Sequence, residues 1–433
     1  MASIIFIVLL ITAIGLFTFN AKKIRRNILL GKDVTFESSP EERLSNMIRV
    51  ALGQSKMITR PVAGILHIFV YAGFILINIE VLEIILDGIF GTHRMFAVFG
   101  SFYDFLIGFF EILALLVFVS VVIFWIRRNV LKLKRFAHPD LIGFPFKDAN
   151  FILIMEMILM TALMLSNASD KILQTRQIEH YISAGAFPVS SFFIPLLQNF
   201  STEKLILIER TFWWIHIIGI LVFLNYLPIS KHLHIILAFP NTYFYEPNKP
   251  LGKFRTLKEV TDVVAPNFDP NYIPSTDPNS EMTFGAKDVF DLSWKQLLEA
   301  YTCTECGRCT SVCPQNTTGK KLSPRKIMMS VRDRLEEVGK NIDVNKKFVD
   351  DGKNLFSYIS EEEIWACNTC NACAEECPVN INPLAIIMEL RYNLILEQSK
   401  APSSLNAMLS NIENNGAPWQ FSNADRLKWT ENT

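Results

Sequence analysis

Residues 303–314 read CTECGRCTSVCP, and residues 367–378 read CNTCNACAEECP. Both stretches space their cysteines as C-x2-C-x2-C-x3-C-P, and together they contain all eight cysteines of the chain. This spacing is typical of the bacterial [4Fe-4S] run, in which three thiolates hold one cubane cluster and the fourth thiolate binds the other cluster. It predicts one cluster on Cys303, Cys306, Cys309 and Cys377, and a second on Cys367, Cys370, Cys373 and Cys313.

Zinc sites and disulfides are the alternative interpretations of paired cysteines. A zinc ribbon needs four ligands per ion and has no use for the third cysteine and the cysteine before proline that both runs contain. A disulfide framework belongs to an oxidising compartment, whereas the charge pattern described below predicts that the cysteines face the cytoplasm, where thiols stay reduced. The sequence therefore favours two iron-sulfur clusters.

Helix-start signals flank the second cysteine run. Ser323 with Pro324 provides an N-cap and an N1 proline, Ser360 with Glu363 makes a capping box, and Asn382-Pro383 opens a further helix. These signals predict an α-helical ferredoxin domain over 291–397. The preceding residues 240–290 are rich in Pro, Asn and Asp, and they predict a linker.

The first half of the chain is apolar. Hydrophobic residues make up 50% of the sequence and charged residues 19%, so the apolar residues must be concentrated in part of the chain. Five stretches reach the roughly 20 residues that cross a hydrocarbon core of about 30 Å. They lie at about 2–19, 62–86, 103–126, 150–166 and 205–229. We therefore predict an all-α protein, with a five-helix transmembrane bundle over 1–239.

Charge determines the predicted orientation. The segments 20–60 and 127–147 are rich in Lys and Arg, which marks them as cytoplasmic loops. The N-terminus is then outside and the cysteine-rich domain is inside, at the inner (cytoplasmic) membrane of a bacterium or archaeon. Basic residues also follow the first stretch where a signal peptide would have a cleavage site, so we expect it to remain as a helix. Lys+Arg and Asp+Glu balance at 42 each with no basic stripe, which argues against nucleic-acid binding.

Histidines are scarce, and a pair of imidazoles from two helices is a common way to hold haem b in a bundle. His67 and His234 lie at matching depth on the cytoplasmic side, and His232 could replace His234. His216 precedes His234 by 18 residues, about 27 Å along a helix, so it cannot share that haem. Its best partner is His93, provided that the chain folds back near Gly88 and Gly91. The alternative for each is a hydrogen-bonded histidine at a helix end.

Two segments, GILHIFVYAGF (64–74) and FWWIHIIGILVFLNYLPISKHLHI (212–235), resemble the haem-bearing helices of the cytochrome b gamma subunit of respiratory nitrate reductases. The resemblance implies that His67 is a ligand on the second helix and that His216 and His234 are the pair on the last helix. The other ligand of the second helix falls at Ile77, which cannot bind iron. The resemblance thus implies one haem b on His67 and His234 and leaves a second open.

Acidic residues inside the spans are candidates for proton transfer to or from a quinone. Glu80, Glu83 and Asp87 share one face of the second helix, and Glu111 and Glu209 lie at similar depth. The alternative is a solvated helix end. Glu156 lies nearer the inner side, where it could serve a haem propionate or pair with a basic loop.

The cysteine-rich domain resembles the cluster subunits of heterodisulfide reductases, anaerobic glycerol-3-phosphate dehydrogenases and fumarate reductases. The whole chain resembles membrane Fe-S oxidoreductases of the heterodisulfide reductase and electron-transfer-flavoprotein:quinone oxidoreductase type. This implies a quinone-linked electron-transfer subunit. No cysteine follows Cys377, so we expect the cysteine-rich CCG domain of fused relatives on a separate subunit, or a flavoprotein that docks directly. The tail 398–433 is a candidate docking segment.

Other functions stay open at this point. The same groups could carry electrons from quinol to a cytoplasmic reductase, or the chain could be a membrane anchor or redox sensor without catalysis. No nucleotide-binding glycine motif and no nucleophile elbow occur, so neither NAD, flavin nor ATP is expected to bind.

Overall fold

The computed structural model describes residues 2–248, 254–274 and 283–431. Over these ranges the chain is helical, and it has no β-strand apart from one isolated bridge between Lys32 and Ser293. The all-α prediction is therefore confirmed. Parts of the expected linker, at 249–253 and 275–282, lie outside the described residues.

The longer helices are numbered in chain order. They are α1 Ala2–Ile28, α2 Pro40–Met47, α3 Pro61–Phe90, α4 Ser101–Asn129, α5 Phe144–Thr175, α6 Thr202–Tyr226, α7 His234–Tyr243, α8 Lys258–Val264, α9 Trp294–Thr302, α10 Pro324–Asn345, α11 Pro383–Tyr392 and α12 Ser403–Asn415. Helices α7 and α8 fall at least partly within the 240–290 segment.

Helices α1, α3, α4, α5 and α6 are long and apolar enough to cross a membrane. They extend beyond the five apolar stretches of the sequence because a helix continues through polar residues at its ends. Helix α1, for example, continues through its basic segment to Ile28. A hydropathy pattern marks the part of a helix that matches the hydrocarbon core, whereas hydrogen bonding determines where the helix stops.

Small residues allow the helices of the bundle to approach closely. A Cβ atom on Gly73 of α3 would collide with the side chain of Val117 on α4, and one on Gly219 of α6 would lie 2.6 Å from Leu159 on α5. Such contacts replace the hydrophobic effect as the packing force between helices in lipid. Helix α1 packs on the bundle through Phe6, which is 1% exposed and contacts Trp213 and Trp214.

The loop after α3 closes one end of the bundle. Helix α3 ends at Phe90, and Gly91 caps it with φ +71°. The buried guanidinium of Arg94 then donates to Asp170 (2.7 Å), Asn167 (3.0 Å) and the Tyr103 hydroxyl (3.1 Å). These bonds attach the loop to α4 and α5, so the chain does fold back after α3.

Residues 283–397, here called the cluster region, form most of a second apolar core, to which Ile28 and Leu233 also contribute. Leu297, Ile327, Leu335, Ile387 and Leu390 are fully buried in it. The predicted helix starts are confirmed: Ser323 caps α10, Ser360 and Glu363 form a capping box, and Asn382 caps α11.

The cluster region packs on the end of the bundle where α1 ends and α3 begins, which we call the proximal end. Ion pairs join the two parts: Lys23 to Asp343 at 2.7 Å and Arg60 to Glu376 at 2.7 Å. Arg325, which is 1% exposed, donates to Asp140 at 3.1 Å, and Asp140 also accepts from the Ser323 hydroxyl. The interface thus includes charges that are removed from water.

Replacing Arg325 by alanine should weaken this interface, because it leaves the buried Asp140 carboxylate without its cation. We expect a loss of about 3–5 kcal/mol in the stability of the packed state. Thermal unfolding of the full chain, followed by circular dichroism, measures it. The exposed Arg426→Ala serves as a control and should change stability by less than about 0.5 kcal/mol. Equal melting temperatures of the Arg325→Ala and Arg426→Ala variants would contradict the stabilising role of the ion pair between Arg325 and Asp140.

Candidate metal centres

The eight cysteines are predicted to form two sets of four. Cys313, Cys367, Cys370 and Cys373 line a single small cavity of about 20 Å³. At Cys309 burial raises the pKa of the thiol, and the neighbouring thiols of Cys306, Cys303, Cys377 and Cys373 raise it further. The cavity thus brings the last cysteine of the first run to three cysteines of the second, and Cys309 has the last cysteine of the second run, Cys377, among its neighbours. None of the eight is in a disulfide.

The chemistry of these thiols fits a metal cluster. Burial raises the pKa of Cys303 to about 11 and those of Cys373 and Cys377 to about 12. A buried thiolate needs a positive partner. A coordinated metal ion is such a partner, and its binding deprotonates the thiol. In the described ranges no three His, Cys, Asp or Glu side chains are arranged to hold a single metal ion. A cubane instead distributes its four thiolates over four iron atoms.

The two cysteine runs have the same backbone shape. Glu305 and Thr369, each two residues after the first cysteine of its run, have φ of +55° and +56°. Gly307 and Asn371, each directly after the second cysteine, have φ of +73° and +60°. Left-handed residues at matching positions curl both loops in the same way, as two equivalent cluster loops require.

Arg308 connects the first run to the start of α3. Its buried guanidinium donates to the carbonyls of Lys56 (2.9 Å) and Met57 (3.0 Å), directly before the helix begins. Gly64 allows the loop around Met57 to lie against the first turn of α3, because a Cβ on Gly64 would be 2.7 Å from the Met57 carbonyl oxygen. His67 lies on α3 about one turn after Gly64. The contacts of Arg308 therefore place the start of α3, and with it the His67 imidazole, relative to the first cysteine run.

Glu305 makes the corresponding connection from the first cysteine run to the segment that carries His234. It is 4% exposed and forms ion pairs with Lys231 and Arg332, both at 2.5 Å. The backbone carbonyl of Lys231 in turn accepts a hydrogen bond from Nδ1 of His234 at 3.0 Å. The sequence analysis did not identify Glu305, Lys231 or Arg308, although the position of Glu305 between two cysteines was a usable signal.

His67 and His234 face one another at the proximal end. Their ring centroids are 6.5 Å apart, with the rings inclined by 41°. An ion bound to one nitrogen of each ring at about 2.0–2.1 Å would separate the centroids by about 6 Å. Nδ1 of His67 is buried and has no hydrogen-bond partner among the described residues. The Nδ1 hydrogen bond of His234 leaves Nε2 free, as in metal-binding histidines. This pair could hold a metal.

His232 lies beside the pair. It stacks on His234 with centroids 5.6 Å apart, and its Nε2 is 3.8 Å from the Glu156 carboxylate. Burial lowers the pKa of His232 to about 3, which keeps the imidazole neutral. The ring opposite His67 is thus that of His234, with His232 as a neighbour.

At the other end of the bundle, called the distal end, the predicted ligands differ in their hydrogen bonding. Nδ1 of His216 donates to the Leu159 carbonyl at 2.9 Å, which leaves Nε2 without a partner. Both ring nitrogens of His93 are occupied: Nδ1 accepts from the amide of Ile182, and Nε2 donates to Asp170. His93 therefore has no free nitrogen for iron, and Ile77 is buried in the apolar core.

Most of the predicted proton-path residues meet in one place. Glu80, Glu83, Asp87, Glu209 and His216 line a cavity of about 260 Å³ at the distal end, here called the distal cavity. Glu111 lies elsewhere: its carboxylate accepts from the amides of Val189 (2.9 Å) and Ser190 (3.0 Å), which is a structural role.

Taken together, these features define an all-helical protein with five helices able to cross a membrane and a cysteine-rich region shaped for two iron-sulfur clusters. Comparison with known proteins agrees: residues 302–381 match the family model of the 4Fe-4S dicluster domain. No solved structure was found to match the chain.

Curated relatives extend over the whole chain. The probable iron-sulfur-binding oxidoreductase FadF of Bacillus subtilis is 29% identical over 99% of this chain and 61% of its own length. The EtfAB:quinone oxidoreductase of Syntrophomonas wolfei is 25% identical over 99% of this chain and 59% of its own length. A probable membrane-anchored ferredoxin of Chromohalobacter salexigens is 28% identical over 35% of this chain and 25% of its own length. The chain thus spans about three fifths of the length of the first two relatives.

The two-set arrangement predicts which substitutions affect the same cluster. Cys313→Ala and Cys370→Ala should remove the same EPR signal of the reduced protein, and Cys306→Ala should remove the other. Each should lower the iron content of clusters from about eight to about four atoms per chain. Iron analysis and EPR of the anaerobically purified chain measure this. If Cys313→Ala instead matches Cys306→Ala, the exchange of cysteines between runs is wrong.

Proposed function

We propose that this chain passes electrons between a soluble partner and a membrane quinone through two [4Fe-4S] clusters and one haem b held by His67 and His234. The observation that carries the proposal is the facing pair of imidazoles, whose ring centroids are 6.5 Å apart. Each imidazole is connected to the first cysteine run by hydrogen bonds or ion pairs. His67 is positioned through Arg308, and His234 through Lys231 and Glu305. A haem with two imidazole ligands, when bound, exchanges single electrons.

The order of the centres follows from exposure and charge. Cys370 is exposed, so the second cluster is the one that a soluble partner can approach. The first cluster adjoins the bundle, where Arg308 lies close enough to the Cys306 thiol for the two to interact. Positive charge near a cluster favours its reduced form, because reduction adds negative charge. We therefore propose that electrons enter at the second cluster and proceed through the first towards the membrane.

The relatives support a quinone as the membrane substrate and a flavoprotein as the partner. The Syntrophomonas wolfei relative is named an EtfAB:quinone oxidoreductase. We propose an electron-transfer flavoprotein or a CCG-type subunit as the partner of this chain, with 398–433 as the docking segment. Helix α12 buries none of its residues, and Phe421 and Trp429 are exposed.

The membrane arrangement is proposed on charge. The segments 20–60 and 127–147 lie at the proximal end with the cluster region, and both are basic. Basic loops stay in the cytoplasm, so we propose that the clusters are cytoplasmic and that the helices span the inner membrane of a bacterium or archaeon.

Loss of either facing imidazole should remove the haem. We expect His67→Ala and His234→Ala to lose the b-type absorption while keeping both cluster EPR signals, because the cysteine runs do not need the imidazoles. Optical and EPR spectroscopy of the purified full chain measure this. His138→Ala, which alters a histidine outside the bundle, is the control and should keep its haem. Full haem in the His67 variant would contradict the ligand assignment.

A kinetic experiment tests the function itself. The reduced wild-type chain is mixed with menadione under anaerobic conditions, and haem oxidation is followed optically. We expect rapid oxidation by the quinone. Haem that stays reduced would exclude a quinone-linked role and favour an anchor or sensor.

A further inference from the structure

The distal cavity is a polar space of about 260 Å³ that the helices of the bundle enclose. It lies among α1, α3, α5 and α6, and about 20 Å along α3 separates its innermost acid, Glu80, from His67. Acidic, imidazole and aromatic side chains share its wall. A polar space of this kind within an apolar bundle is costly, so it points to a ligand.

Two buried side chains of its wall carry a polar group with no hydrogen-bond partner in the described part of the chain. Glu80 is 5% exposed, and its carboxyl group makes no hydrogen bond within the described part of the chain. His216 is 4% exposed, and its Nδ1 bond to Leu159 leaves Nε2 facing the cavity without a partner. Buried polar groups are rarely left unpaired, because each costs about 1–3 kcal/mol. A molecule with two polar ends would satisfy both.

The remaining wall is aromatic. Phe6, Trp213 and Trp214 line the cavity and pack on one another, with ring centroids 5.1–6.3 Å apart. Aromatic faces bind flat rings by stacking and edge contacts. The cavity therefore combines a surface for a planar ring with hydrogen-bonding groups for polar atoms on that ring.

A second haem is the competing occupant, and the histidines do not favour it. A haem with two imidazole ligands needs a facing pair like His67 and His234. His93 has both ring nitrogens occupied, and His180 packs on His93 and Tyr181. Among the described histidines, none stands opposite His216 as His234 stands opposite His67.

We propose that the distal cavity binds the quinone ring, with one ring oxygen accepting from the Glu80 carboxyl group and the other beside Nε2 of His216, to which it donates once reduction has made it a hydroxyl group. This rests on the proposed function and adds a location for its substrate. Reduction of the quinone to hydroquinone takes two electrons from the proposed donor centres and two protons. Both carbonyl oxygens become hydroxyl groups, so the atoms and charges balance.

The chain has groups to supply the protons. Glu80 donates to the nearer quinone oxygen and is recharged from water that enters the cavity from the distal loop. Glu83 and Asp87 follow it along one face of α3 towards that loop, where their carboxylates accept hydrogen bonds from the amides of Phe96 and Met95. The second proton enters from the same side, and the hydroxyl group that it forms donates a hydrogen bond to Nε2 of His216. Oxidation of the hydroquinone would run through the same groups in reverse.

The fluorescent hydroquinone analogue 2-heptyl-4-hydroxyquinoline N-oxide tests the site without turnover. It is titrated into the purified full chain in lipid nanodiscs, and its quenching gives a dissociation constant. The variants are Glu80→Gln and His216→Asn; the asparagine amide can still donate to Leu159, while Nε2 is removed. The matched control is Glu203→Gln, which changes an exposed acid in the first turn of α6, the helix that carries His216.

We expect about tenfold weaker binding by Glu80→Gln and by His216→Asn, with haem content and cluster signals unchanged and with the control like wild type. Wild-type affinity in both variants would place the quinone elsewhere and overturn the proposal. Loss of haem absorption in His216→Asn would also overturn it, in favour of a second haem. If the wild type binds no analogue and its reduced haem is not oxidised by menadione, the proposed function has failed, rather than only the location.

Discussion

The buried carboxylate of Glu305 is the constraint on which the arrangement of centres depends. It lies inside the first cysteine run and is paired with Lys231 from the bundle and Arg332 from α10. Two cations compensate one buried anion here, and breaking a buried pair costs about 3–5 kcal/mol. The cluster loop therefore cannot shift relative to the bundle without a large loss. His234, held by the Lys231 carbonyl, keeps its position relative to the thiols for the same reason.

The two ends of the bundle show opposite kinds of polar chemistry. At the proximal end buried charges are paired across the interface, as with Arg325 and Asp140, and the effect is rigidity. At the distal end Arg94 and Asp170 form a closed network, but Glu80 and Nε2 of His216 stay unsatisfied beside it. Paired groups suit a fixed distance between centres, whereas unpaired groups suit a molecule that enters and leaves.

Sequence reasoning succeeded where the signal is local. Cysteine spacing predicted a dicluster domain, which the family comparison bears out, and the caps at Ser323, Ser360 and Asn382 follow from residues within three positions of each other. It could not predict the contact between Glu305 and Lys231, which are 74 positions apart, or the hydrogen bonds that occupy both nitrogens of His93. Those contacts exist only after the helices have packed, and no periodicity records them. The helical face predicted correctly that the acids of α3 lie together. Glu111 instead binds the backbone amides of the loop at Val189 and Ser190, a contact that the sequence pattern did not reveal.

The unequal burial of the cysteines also bears on how the protein ages in air. Cys370, in the second predicted set, is the exposed one of the eight cysteines, whereas the four of the first predicted set are buried or half-buried. Small oxidants reach an accessible sulfur first. Damage by oxygen should therefore begin at the second predicted cluster, so that a preparation handled aerobically would lose that cluster before the first.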